Sequence, residues 1–76
     1  MFVDKATAKA AKTFGQRLRA ARVDAGYSQE AFAHASGVDR SYVGQVERGE
    51  KNITLGTMLR LTKVLEVGVA DLVVDL

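Results

Sequence analysis

The chain has no cysteine and no proline, and a single histidine among its 76 residues. Without cysteine there is no disulfide staple and no thiolate zinc site. With His34 alone, no histidine cluster exists to hold a metal, and that side chain is expected on the solvent face of a helix. No nucleophile–base pair or glycine-rich phosphate loop is present, and the carboxylates are scattered. An enzyme is therefore not expected, and neither is a metal or a cofactor. No apolar run approaches the ~20 residues that span a bilayer. The start, MFVDKATAKAAK, lacks the apolar centre of a signal peptide. A cytoplasmic protein with no membrane partner is the expectation.

The chain has room for one domain. Nearly half of it, 47%, is apolar, enough for a compact core. A domain this small buries only ~60% of its unfolded surface, so close packing or self-association has to supply stability. The net charge of +2 says little, but its distribution says more. Six basic residues and no acid lie between Lys5 and Arg22, and three acids and no base lie from Glu66 onward. A basic front end suits an anionic partner. A solvated helix face reads equally well for that segment alone.

With proline absent, glycine supplies the punctuation. Ala11, Phe14, Leu18, Ala21 and Ala25 alternate spacings of three and four, one face of an amphipathic helix. Arg17, Arg19 and Arg22 lie largely off that seam, and Gly26 ends the helix. Residues 1–12 are either a basic extension or the start of this helix, with Asp4 as its cap. Ser28 caps a second helix that turns Phe32 and Ala33 inward and stops at Ser36 and Gly37. Asp39 caps a third, about 40–48, with Val43 and Val46 inward and Gly49 after it. Thr54 caps a fourth over 55–65, whose apolar set (Leu55, Met58, Leu59, Leu61, Val64, Leu65) is too broad for one stripe. A short fifth helix after Gly68 holds Val69, Leu72 and Val73. The expected class is all-α, five helices, with residues 13–76 as a single domain.

The segment 28–49, SQEAFAHASGVDRSYVGQVERG, reads as two short helices crossing at a glycine turn. Counting Gln29 as position one, Ala33, Gly37 and Val43 fall at positions five, nine and fifteen. A small residue, a glycine and a branched aliphatic there are what a tight helix-turn-helix requires. The third helix opens with Arg40, Ser41 and Tyr42, which puts long polar side chains where a recognition helix meets the major groove.

Over about residues 13–73 the chain resembles the Cro/repressor-type helix-turn-helix family and its lambda-repressor-like domain. The matching motifs are RLRAAR, SQEAFA, SGVDRSYVGQVERG and TLGTMLRLTKVLEV. Within that family, DRSYVGQVERGEKNIT is most similar to the controller proteins of restriction–modification systems, through Arg40-Ser41-Tyr42 and Glu47-Arg48 followed by Asn52. Controller-like sequences often carry serine where this chain has Gly44. That mid-helix glycine costs ~1 kcal/mol against alanine. It reads either as room for a close approach to DNA or as tolerated drift.

The resemblance implies roles that the side-chain chemistry supports. Arg40 reads base edges, since a guanidinium donates twice to guanine O6 and N7. Ser41 and Gln45 reach a base or the backbone. The ring and hydroxyl of Tyr42 suit a phosphate or a deformed step, with partial burial as the alternative. Gln29 matches a phosphate-contacting position at a helix N-terminus, and Arg48 and Lys51 suit flanking phosphates. Arg22 and Glu47 correspond to an ion pair joining the first helix to the recognition helix.

Family members bind as two-fold dimers to half-sites one DNA turn apart. The aliphatic surplus nominates Leu55, Leu59, Val67, Val69, Val73 and Val74 for an isologous interface. Closure of the core is the alternative for most of them. The expected function is a homodimeric, sequence-specific transcription regulator on a pseudo-palindromic operator. As a controller it would govern its own promoter and a restriction–modification operon. The expected partners are double-stranded operator DNA and a second copy of the chain, with RNA polymerase as a further one. Two alternatives stand: a phage-type repressor of the same fold, and an antitoxin-like interaction module that uses residues 1–12 as its clasp.

Overall fold

The computed structural model describes residues 4–76; Met1, Phe2 and Val3, the start of the anticipated basic extension, lie outside them. Five helices follow one another: α1 (Lys5–Asp24), α2 (Gln29–Ser36), α3 (Arg40–Glu47), α4 (Leu55–Leu65) and α5 (Val69–Val73). The described residues contain no strand. Packing α1 against α3 and α5, and α2 against α3 and α4, encloses one core.

Local chemistry sets the helix ends. Asp4 Oδ1 accepts the Thr7 amide at 2.6 Å, Ser28 Oγ the Ala31 amide at 3.0 Å, and Thr54 Oγ1 the Thr57 amide at 3.2 Å. Each cap satisfies an amide that the helix itself leaves unpaired. Residues 5–12 are therefore the opening turns of α1. Asp39 corrects one expectation: it occupies the N-cap position of α3, but its side chain makes no capping hydrogen bond. The amide ends of α3 are left open to solvent or to a ligand.

At the far ends of α1, α2, α3 and α4 the chain turns back through a left-handed residue. After α1, the Tyr27 amide donates to Arg22 O and the Gly26 amide to Val23 O. The same pair of bonds recurs at Gly37, Gly49 and Glu66, the pattern in which a left-handed residue closes a helix. Glu66 is the exception in kind, because it takes φ 57° without being glycine.

The core is Phe14, Leu18, Phe32, Ala33, Val43, Val46, Leu61, Leu65 and Leu72. All five helices contribute, so none can leave without opening the rest. The α1 seam overruns by one residue: Ala25 is the C-cap and exposed, because the helix has already ended at Asp24. Two glycines permit the crossing of α1 with α3. A Cβ on Gly15 would lie 2.2 Å from Val46 O and 2.7 Å from Glu47 O. A Cβ on Gly49 would lie 2.6 Å from Lys12 Cα. No side chain larger than hydrogen fits at either point.

Candidate nucleic-acid interface

Helix α3 is fixed from behind by a buried polar knot. Arg22 Nε donates to Glu47 Oε2 at 2.6 Å and Nη2 to Oε1 at 3.1 Å, a bidentate pair. Arg22 Nη1 donates to Tyr27 O at 2.7 Å, and Gln29 Nε2 donates to Glu47 Oε1 at 3.0 Å. Arg22 and Glu47 are 7% and 6% exposed, and no buried side-chain polar atom among the described residues lacks a partner. The knot joins α1, the turn after it, the first residue of α2 and the last residue of α3. It therefore sets how α3 stands on the domain. Gln29, expected to face phosphate, spends one amide N–H on this knot.

Outward from the knot, α3 presents Arg40 and Ser41 exposed to solvent and Tyr42 and Gln45 half-buried. Tyr42 packs partly against the core and lines an open groove with His34, Asp39 and Arg60. His34 is exposed there. Arg48 and Lys51 are exposed beyond the helix end. These candidate contacts thus fall on one helix and its C-terminal loop, while Val43, Val46 and Glu47 face inward.

Arg48 is not free. Its Nε donates to Glu50 Oε2 at 2.8 Å and its Nη2 to Oε1 at 3.2 Å. The hydrogen bond to Arg48 holds the Glu50 carboxyl below its ordinary value, and the same bond raises Arg48 further. Gly44 is buried beneath it: a Cβ there would meet Arg48 Nη1 at 3.1 Å and Gln29 Oε1 at 3.7 Å. The missing side chain at Gly44 thus makes room for protein groups.

The anticipated basic front of α1 is thinner than its composition. Arg22 is buried in the knot, and Arg17 Nη1 donates to Val74 O at 2.6 Å and Leu72 O at 3.3 Å. Lys5, Lys9, Lys12 and Arg19 remain exposed. Neither the Arg17 clasp nor the Arg48–Glu50 fork carries a periodic signal. Gly15, a glycine inside a helical pattern, was the readable clue to a close backbone approach.

Of the apolar residues nominated for self-association, Leu55 is 62% exposed, Leu59 54% and Val74 54%. Val67 and Val73 pack partly on the core, and Val69 is half-buried. Leu76, 50% exposed, belongs with the exposed set. No helix of the described residues is long and apolar enough to cross a membrane.

Comparison with known proteins meets this geometry at the same residues. The profile of the helix-turn-helix family matches residues 18–72. The control protein C.SmaI of Serratia marcescens is 49% identical over 45 residues, 59% of this chain. That match spans 54% of the Serratia protein, so the chain aligns with about half of it. The control protein C.BamHI of Bacillus amyloliquefaciens is 35% identical over 78% of this chain and 74% of its own length. The crystal structure of the restriction–modification controller protein C.AhdI from Aeromonas hydrophila superposes with a TM-score of 0.79. It is 48% identical and covers 82% of this chain and 94% of its own. The chain thus belongs to the Cro/repressor-type helix-turn-helix family of DNA-binding transcription regulators.

Proposed function

We propose that the protein is a homodimeric, sequence-specific regulator that reads a pseudo-palindromic operator through α3. On this reading it controls its own promoter and a restriction–modification operon. The observation that carries it is the arrangement of α3: a helix held from behind by Arg22–Glu47, with Arg40 and Ser41 exposed at its first turn. That first turn is the part of a recognition helix that reaches base edges.

Arg40 is the principal reader, with Ser41, Tyr42 and Gln45 beside it, and a bidentate arginine contact discriminates bases by ~1–3 kcal/mol. Gln29 and Lys51 hold the phosphate backbone, and Arg48 can join them where it exchanges Glu50 for a phosphate. The size of one copy supports a pair on the operator. The chain is 32 Å in its longest dimension and carries one reading helix, while half-sites repeat every ~34 Å. Exposed Leu55, Leu59 and Val74 suit the shared surface. The likeness to control proteins supports the restriction–modification setting. RNA polymerase is a further partner if the regulator activates.

The antitoxin alternative cannot be separated by deleting residues 1–12. Residues 5–12 are part of α1, and Gly49 packs against Lys12. Point substitution is the cleaner test. Fluorescence anisotropy against the duplex immediately upstream of this chain's gene, beside a scrambled duplex, compares wild type with Arg40→Ala. Selective binding lost in the variant is the expected result. Equal weak binding to both duplexes by wild type would overturn the regulator reading.

A further inference from the structure

We infer that Glu50 is a restraining residue that lowers DNA affinity by occupying Arg48; the inference rests on the DNA-reading role proposed above. Three features of the geometry converge on it. The Glu50 carboxylate takes Nε and Nη2 of Arg48 in a fork at 2.8 and 3.2 Å. The guanidinium lies back over Gly44, whose absent Cβ leaves the space, and so sits beside Gln29 at the start of α2. Arg40 at the start of α3 and Lys51 beyond its end, the other proposed DNA-facing cations, have no acid within 4.0 Å among the described residues. The direct carboxylate contact is therefore made to Arg48, the cation at the C-cap of α3.

A carboxylate and a phosphate compete for the same planar fork. While Glu50 holds it, Arg48 offers DNA little net charge and displaces no counterion. Both side chains are more than half exposed, 60% and 53%, so the pair is weak enough to be exchanged. The fork acts as a built-in competitor that moderates sequence-independent backbone binding and leaves Arg40 free.

Anisotropy titrations over a series of salt concentrations test this with wild type, Glu50→Gln, Arg48→Ala and the double variant. Each is run against the upstream duplex and a scrambled one. Glu50→Gln should tighten binding to both duplexes by about 1.5- to fivefold, the range that an exposed ion pair commands. On the scrambled duplex the slope of log K against log[salt] should steepen by ~0.9, one additional phosphate neutralised. In the Arg48→Ala background the same substitution should change little.

An equal gain in that background would mean plain repulsion by Glu50 and overturn the inference. Weaker binding by Glu50→Gln would mean that the carboxylate aims Arg48 at phosphate, which also overturns it. So would no change. If wild type prefers the upstream duplex while Glu50→Gln matches it, only this inference falls. If wild type binds neither duplex at low salt, the DNA-reading role fails and takes the inference with it.

Discussion

Gly15 of α1 lies against the carbonyl of Val46, the penultimate residue of the recognition helix, at a distance that no Cβ could share. The C-terminal carbonyls of α3, those of Val46 and Glu47, press into α1 where a side chain would otherwise stand. Gly15→Ala should therefore destabilise the protein, although alanine is the better helix former by ~1 kcal/mol. Overpacking against immovable backbone sets the expected loss at about 3 kcal/mol. Urea unfolding measures it. A stability gain would mean that α1 and α3 stand further apart than described.

The Arg22–Glu47 pair predicts a defect of a different kind. Glu47→Ala leaves a buried guanidinium without its carboxylate, which costs ~3–5 kcal/mol. It also releases Gln29 from α3. The thermal midpoint should fall first, and operator affinity should recover in part when binding is measured well below that midpoint. Weakened binding at an unchanged midpoint would show that Glu47 acts on DNA and not on the scaffold.

Much of this architecture is legible in the sequence because it rests on local rules. Ser28 and Thr54 announce their helices by capping, and Gly26, Gly37 and Gly49 end theirs by tolerating positive φ. Ala33, Gly37 and Val43 mark the crossing of α2 and α3 by size alone. What escapes such rules is decided by residues distant in the chain. The Arg17 clasp spans 55 and 57 positions, and charge composition counted that arginine as surface. Gly44 reads as ambiguous in one dimension, and only folding shows that Arg48 and Gln29 fill its space. Glu66 carries no sign of a turn, because glutamate is a poor choice for one.

That last residue can be improved. Glu66 closes α4 with φ 57°, a conformation costing a residue with a Cβ ~1–2 kcal/mol that glycine avoids. Part of that gain is returned through the greater freedom of glycine in the unfolded chain. Glu66→Gly should thus raise stability by about 0.5–1 kcal/mol. A lower midpoint in denaturant would mean that the Glu66 side chain has a partner in solution that outweighs the strain.

Acid should loosen the start of α1 before the core yields. The hydrogen bond from the Thr7 amide depresses the Asp4 carboxyl below its ordinary value of 3.8. A depressed carboxyl stabilises the fold fully above its unfolded value, and the contribution vanishes as pH falls through the folded one. The Thr7 amide shift in a proton NMR titration should move with a midpoint below 3.8, together with faster hydrogen exchange in the first turn. Asp4→Ala should exchange fast there at neutral pH as well. Identical Thr7 protection in both proteins would remove Asp4 as the cap.

Self-association is where an exposed apolar residue separates surface from interface. Leu59 is 54% exposed, so Leu59→Asp should leave the monomer's fold nearly intact. In a two-fold interface the single substitution enters twice, burying two unpaired carboxylates. Sedimentation at micromolar concentration should show wild-type dimer and variant monomer, and operator affinity should fall because one reading helix covers one half-site. Val23→Asp is the control: Val23 is 55% exposed on α1, outside the nominated surface, and the variant should remain dimeric. A dimer that survives Leu59→Asp but not Val23→Asp would relocate the interface from α4 to α1. Wild type that stays monomeric with and without operator would refute the two-fold reading altogether.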